Sequence, residues 1–410
     1  MRYKTGQRGP KRTGQEGNVS DKFKLHYYDI SYFSGKMQAY LAYKGIPHEL
    51  NEARWLELAW RVVEHTGVIE VPVIERPDGT FMRDTTSMIE WFEERYPEGP
   101  VLSTDSAALS FLLRLIEDYA DEGLWRPALY YRWAFDKDAR LYARRFTDEF
   151  LDLPIPAPLL RAYVILRQRQ VYLREEGVTK ANAARVEQHY FDELADLQAL
   201  LETQPFVTGH RPSLADFGYF ASMFRHFAID PTPARIMREQ APAVCAWIGR
   251  MWNARHASYA DAPLIGWPSE PLPDPLLRIL KRAGRLYFPY MLRNHRAVAD
   301  GEDRFDVELD GATYPNLPAI PFRAWSRHRL IELYRGLPLA DREAVDEVLE
   351  STGIATSLLA EPDLEHGYPP GPMLPDGRRR RVGLIEKLTI SLVGTPHHIE
   401  VGQPHDLANP

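Results

Sequence analysis

The sequence predicts an α+β protein: a small mixed domain, then an all-helical domain, then an irregular C-terminal extension. Three observations predict it. Apolar residues alternate at period two over FKLHYYDI and again around VIEVPVIER, with a helical pattern between them. From about residue 106 to 260 the periodicity becomes helical throughout. Beyond 270 helical stretches are broken by prolines, a hairpin signal and a Pro/Gly-rich end. A chain of 410 residues exceeds what one core organises, so two or three domains are expected. Its 44% hydrophobic and 26% charged residues are those of an ordinary globular protein. A net charge of -7 gives no general attraction to nucleic acid or anionic lipid. The single cysteine, Cys245, excludes an intrachain disulfide and fits a reducing compartment. No apolar run approaches the roughly 20 residues that span a bilayer.

Residues 1–21 are basic, Gly- and Thr-rich and lack an apolar stretch, so they read as a disordered leader. In the first strand Phe23, Leu25 and Tyr27 share one face, and Lys24, His26 and Tyr28 the other. SYFSGKMQAYLAYKGIP then places Met37, Tyr40, Leu41 and Lys44 at helical spacing, with Gly45 as C-terminal cap and Pro47 forbidding continuation. VIEVPVIER is a strand whose internal proline asks for an edge position or a special peptide bond. The turn Pro77-Asp78-Gly79 leads to a short strand near Thr80–Met82, and a helix follows from Asp84 to Pro97.

Residues 106–262 carry the helices. ALSFLLRLIEDYADEGLWRPALYYRWAF is apolar on one stripe, with Pro127 as the expected kink. Near 213 a capping box sets Ser213 at the N-cap and Asp216 three residues on. Residues 270–360 read as helices around Pro289 and a hairpin at RFDVELDGATYPNL, whose Asp-Gly pair marks the turn. The tail, 361–410, is expected to hug the surface, with KLTISLV as a strand.

In this order the features resemble the glutathione transferase superfamily. SYFSGKMQAYLAYKGIPHE is similar to its first helix and approach loop, VPVIE to its Val-cis-Pro strand, DTTSMIEWFEERYP to its acid-Ser/Thr helix, and LADF to a motif of its helical domain. The resemblance implies a thioredoxin-like βαβ-ββα domain over 22–97 and a helical transferase domain over 106–262. EDYADEGLWRPALYYRW, FAIDPTPARIMREQAPAVCAWIGRMW and GRLYFPYMLRNHRAVADG resemble a long bacterial-type branch with a C-terminal extension. It also implies glutathione as cosubstrate, a cytoplasmic homodimer, and a hydrophobic electrophilic second substrate.

A glutathione thiol has a pKa near the value of about 8.5 for free cysteine, and each unit of depression needs about 1.4 kcal/mol of preferential interaction. A hydroxyl where the first strand meets the first helix can supply it. Ser31 matches the serine- or cysteine-type position and ranks first, although Tyr32 stands where many members carry proline. Ser34 is another candidate, whose plain reading is a helix N-cap. Tyr27 matches the tyrosine-type position, and its plain reading is a core tyrosine on the strand. By resemblance Val71, before a cis Pro72, presents its backbone to the cysteinyl group, while Asp84 and Thr85 hold the γ-glutamyl group. Arg61 and His65 are the candidates for the glycyl carboxylate. Tyr119, Trp125 and Tyr131, with Tyr130 and Trp133, are candidates for the second-substrate pocket, against an ordinary reading as core.

Cys245, alone on an apolar helix, is expected to be buried and inert. His397, His398 and His405 have no acid or cysteine pattern beside them, so no metal is expected. Arg378 to Arg381 read as a solvated basic run. The reading is an enzyme that attacks an electrophile with the glutathione thiolate. A non-catalytic glutathione-binding or regulatory module, and an ether-cleaving or dehalogenating lyase, are the alternatives.

Overall fold

The structure, a computed structural model, describes residues 22–151, 155–368, 379–393 and 403–405. The leader 1–21, Arg378, His397 and His398 lie outside the described residues. The first domain is thioredoxin-like. Strands β1 (Phe23–Tyr27), β2 (His48–Glu52), β3 (Val73–Glu75) and β4 (Phe81–Met82) form one sheet in the order β2-β1-β3-β4. β1 runs parallel to β2 and antiparallel to β3. Helix α1 (Tyr32–Lys44) crosses between β1 and β2, and α2 (Thr85–Arg95) follows β4. Gly45 ends α1 at φ 69° and returns its N–H to the Leu41 and Ala42 carbonyls, the cap expected from the sequence. β2 is the strand that composition hides: HELNE is polar, and its ladder to β1, from Phe23 opposite His48 to Tyr27 opposite Glu52, defines it.

The helical domain contains α3 (Ala107–Asp118), α4 (Trp125–Ala134), α5 (Asp136–Arg145), α6 (Ala157–Gln168), α7 (Ala183–Leu201), α8 (Leu214–Ser222), α9 (Pro231–Gln240) and α10 (Pro242–Asn253). The long apolar run breaks at a π-helical segment, 119–123, and not at Pro127. Pro127 lies in the first turn of α4, where its missing N–H has no partner to lose. The capping box of α8 is present, and Asp216 also accepts from Val207 N and from Trp247 Nε1. Cys245 is half-buried, less enclosed than expected, because it lies toward the edge of the stripe that buries Val244, Trp247 and Ile248. Burial still raises its thiol pKa.

The extension is built as orderly helices. α11 (Asp274–Leu286) and α12 (Phe288–Ala299) are interrupted next to Pro289. β5 (Arg304–Leu309) and β6 (Ala312–Pro318) form the hairpin, turning through Asp310 and Gly311 at φ 49° and 76°. α13 (Pro321–Arg335) and α14 (Leu339–Ser351) come next, followed by one helical turn at Ala355–Leu358, then β7 (Arg379–Arg381), α15 (Leu384–Val393) and β8 (Gln403–His405). KLTISLV is therefore helix. An apolar run of seven residues does not decide between strand and helix. Here Gly383 and Glu386 start a helix: Gly383 N donates to the Glu386 carboxylate and Lys387 N to the Gly383 carbonyl. Arg379–Arg381 pair with β8 as a strand. Among the described residues no helix is long and apolar enough to cross a membrane.

One apolar cluster runs from Phe23 to Leu358 through all three parts. α13 and α14 lie against α3, and α11 against α7. Polar ties reinforce this. Asp341 accepts from Ala108 N at 2.8 Å and so caps α3, Tyr287 donates to Asp118 at 2.6 Å, and Arg282 pairs with Glu193 and Asp196.

The mixed and helical domains meet at a buried charge. Lys36, fully buried on α1, bonds both Glu117 on α3 and Asp121 in the π segment. Tyr32 donates to the carbonyls of Ala120 (2.9 Å) and Asp121 (3.0 Å) inside that same wide turn. Tyr32 thus has a tethering role that a proline could not perform. Lys36→Met would leave Glu117 and Asp121 without their counter-charge. It should lower unfolding stability by about 3–5 kcal/mol, the cost of breaking a buried pair, read from denaturant midpoints. A loss of less than about 1 kcal/mol, the range of exposed pairs, would show that the junction tolerates an unpaired acid.

Candidate functional site

A cavity of about 580 Å³ opens where the three parts meet. Its wall on the mixed domain comes from three separate segments. Ser31 is the N-cap of α1: its Oγ accepts from Ser34 N at 3.3 Å and donates to the Val71 carbonyl at 3.4 Å. Val71 and Pro72 line the wall beside it, and the bond between them is cis. Asp84 and Thr85 complete it. Asp84 caps α2, accepting from Ser87 N at 2.8 Å, with its backbone at φ 65° and ψ 116°. A non-glycine residue held at positive φ stores strain, and such residues concentrate at ligand clamps. Burial raises the Asp84 carboxyl pKa against the bonds from Ser87.

The loop before α1 is fixed from the helical domain. Arg132 donates to the Ile30 carbonyl at 2.9 Å and holds Asp230 through two nitrogens, at 2.8 and 3.0 Å. Arg225 bonds the Asp29 carbonyl and carboxylate. Burial opposes charge on Asp29, but the Arg225 and Arg145 bonds prevail and lower its pKa. Two guanidiniums therefore set the path that presents Ser31.

The remaining walls differ in character. Asp118, Asp121 and Glu122 make a polar floor. Leu129 and Trp133 of α4, Phe146, Leu160 and Val164 make an apolar arm. Trp125 stacks on Phe33 with centroids 5.9 Å apart. The extension closes another side with Ile320, Phe322, Trp325 and Arg329. Every π-helical segment contributes to the lining: Leu58 from 58–62, Asp121 from 119–123, Phe146 from 146–151, Tyr172 from 169–174 and His226 from 223–227. A π turn rotates the residues after it relative to an α-helical frame, which explains why helical spacing alone did not forecast this lining.

The residues singled out from the sequence divide accordingly. Ser31, Val71, Pro72, Asp84, Thr85, Trp125 and Trp133 come together on the cavity. Ser34 is not the cap: it is fully buried inside α1, and its Oγ accepts from Tyr28 N. Tyr27 is half-buried on β1 away from the lining. Tyr119 is core, donating to Glu193 at 2.7 Å and meeting His189, and Tyr131 packs among Tyr130, Phe135, Tyr190 and Phe227. Arg61 is committed to Glu75 at 3.0 Å, and His65 stacks on Phe81; neither lines the cavity. Among the described residues no group of three or more His, Cys, Asp or Glu side chains could hold a metal ion. The extension's share of the lining had no sequence signal, because it is brought in across more than 200 residues.

Two family matches cover part of the chain: the glutathione S-transferase N-terminal domain over residues 25–100 and the glutathione S-transferase C-terminal domain over 168–254. Among solved structures the chain is similar to a glutathione S-transferase of Methylobacterium radiotolerans in complex with glutathione sulfonate, at 18% identity over 62% of this chain and 100% of that one, TM-score 0.37. It is similar to the beta-etherase LigF of Sphingobium sp. strain SYK-6, at 18% identity over 58% of this chain and 98% of that one, TM-score 0.42. It is also similar to a glutathione S-transferase of Rhodospirillum rubrum F11, at 19% identity over 62% and 97%, TM-score 0.38. No curated protein matches the chain.

Asp118 makes the floor sensitive to pH. Burial pushes its carboxyl from 3.8 up to about 7, against hydrogen bonds from Ser326 and Tyr287 and with the help of Glu117 and Glu122. Between those two values the folded chain keeps a proton that the unfolded chain has released. The folded state binds more protons there, so this group makes stability fall as pH rises through the window and level off above it. Asp118→Asn does not titrate. Its stability relative to the parent chain should therefore be more favourable at pH 8 than at pH 5, measured by urea unfolding at both. An equal difference at the two pH values would remove Asp118 as the source.

Proposed function

We propose that this member of the glutathione transferase superfamily, which carries both the N-terminal and C-terminal domains of that superfamily, binds glutathione in the cavity and directs its thiolate at an apolar electrophile. The observation that carries this reading is convergence: Ser31, Val71, Asp84 and Thr85, from three segments, share one wall.

Each residue has chemistry suited to one part of the tripeptide. Val71, in the loop before β3, offers backbone groups to an extended peptide. Asp84 is an acceptor for the γ-glutamyl ammonium. The first turn of α2, with the Thr85 hydroxyl, suits the adjoining carboxylate, because unpaired amides and the helix dipole favour an anion there. Ser31 stands at the start of α1, where a donated hydrogen bond and the same dipole lower a thiol pKa. Its present bond to the Val71 carbonyl is long, so redirecting it to a thiolate costs little. The thiolate sulfur would then form a bond to the electrophilic carbon, and the leaving group would depart with its bonding pair.

The electrophile's arm lies outside both family matches. Residues 101–167 fall between the two family matches, and they supply Leu129, Trp133, Phe146, Leu160 and Val164. That lining supports a hydrophobic second substrate and leaves its leaving group, ether or halide, to product analysis. A cytoplasmic homodimer belongs to the same proposal and rests on the family alone. The binding-only reading has one observation in its favour: the Ser31 hydroxyl is already shared between a helix cap and Val71.

Asp84→Ala should weaken glutathione binding by about 1.5–3 kcal/mol, the range for a charged hydrogen bond, by calorimetry. Ser31→Ala should raise the pKa of the bound thiol by about one to two units, read from thiolate absorbance against pH. Tyr27→Phe should leave that pKa unchanged. A parent protein whose bound thiol titrates like free glutathione would make this a binding module.

A further inference from the structure

We infer that the C-terminal extension is part of the ligand site, and that Arg329 on α13 receives the α-carboxylate of the γ-glutamyl group. The inference rests on the glutathione reading above. α13 reaches the cavity with Phe322, Trp325, Ser326 and Arg329, and these share the lining with Asp84, Thr85 and Thr86 at the start of α2. The extension is thus a wall of the pocket and not an appendage.

Its two cavity arginines are in different states. Arg323 is spent on the fold: Nε bonds Glu122 at 2.9 Å, Nη2 bonds Glu176 at 2.8 Å and Nη1 bonds Tyr290. Arg329 bonds Glu90 through Nη2, and among the described residues it makes no second hydrogen bond. A guanidinium carries five N–H donors in a planar fork. Its other donors are therefore uncommitted on a side chain only 16% exposed that lines the cavity.

Arg329 does not have Glu90 to itself. Glu90 is met by two guanidiniums, Arg329 and Arg114, the latter at 3.3 Å. One carboxylate is thus shared by two arginines. Glu90 also holds Arg329 in place, and Trp325 lies 5.9 Å from its guanidinium, so a ligand need not order it. Asp84 and Glu117 lie within reach of its field. An α-amino acid head presents an ammonium and a carboxylate side by side. Asp84 suits the first, and Arg329 with the amides of the first turn of α2 suits the second. The γ-glutamyl group, which keeps its α-carboxylate free, is the acyl group that such a pair selects.

The test compares glutathione with γ-aminobutyryl-cysteinyl-glycine, which lacks only the α-carboxylate, by calorimetry on the full chain. In the parent protein the analogue should bind about ten- to a hundredfold more weakly than glutathione. Arg329→Gln should weaken glutathione by a similar factor and leave the analogue within about twofold, so that the two peptides become nearly equal. Arg329→Lys retains the Glu90 pair and should recover part of the glutathione affinity, again with the analogue unmoved. Equal loss of both peptides in both variants, or no loss of either, overturns the inference while the glutathione reading stands. Failure of the parent chain to bind glutathione overturns both.

Discussion

A lysine with no surface in water governs how this molecule is put together. Lys36 sits near the start of α1, and its ammonium is claimed by Glu117 and Asp121 of the neighbouring domain. Burial works against every charge in the cluster. On Glu117 the ammonium and the Thr86 hydroxyl prevail and its pKa falls, whereas on Asp121 burial prevails and its pKa rises well above the ordinary value. One cation is thus shared by two acids on which burial and the ammonium balance differently. The geometry of the site follows from it. α1 cannot shift against α3 without uncovering these groups, so the N-terminus of α1, where Ser31 stands, and the first turn of α2, where Thr86 bonds Glu117, are fixed in a common frame.

The wall formed by the mixed domain was legible in the sequence because each of its parts is a local signal. A serine before a helix, a proline opening a strand and an acid-threonine pair opening another helix can be read within a few residues of each. The aromatic stripe of 119–133 is legible as helical, though not its break, and only in part as a lining. Trp125 and Trp133 reach the cavity, while Tyr119 and Tyr131 turn into the core. The π segment at 119–123 displaces the face that 3.6-residue spacing would assign, and nothing in the residue types announces it. β2 was invisible for the opposite reason: HELNE has no strand character, and pairing with β1 supplies what composition lacks.

Tyr32 shows how a departure from a pattern can have a structural cause. Where the resemblance leads one to expect a proline, this chain has a hydroxyl that reaches two carbonyls of the π segment. The ring is buried against Phe33, Trp125 and His226, so the loop is held from the inside. The wide turn and the tyrosine form one device, and the floor of the cavity, with Asp121 and Glu122, is its visible edge.

The interleaving of the extension with the first two domains has a consequence for how the chain comes into being. Glu90 meets Arg329, Asp118 meets Ser326 and Ala108 meets Asp341, contacts between segments made early and late in synthesis. Until α13 and α14 have left the ribosome, α3 carries an apolar flank with nothing to cover it. Contacts this far apart in sequence close slowly, since the loop entropy must be met before they form. The nascent chain therefore spends an interval with its central helix uncovered, the condition under which chaperones engage a protein and under which it associates with its own copies. A wall that gives the finished site its shape makes the unfinished chain dependent on α13 and α14.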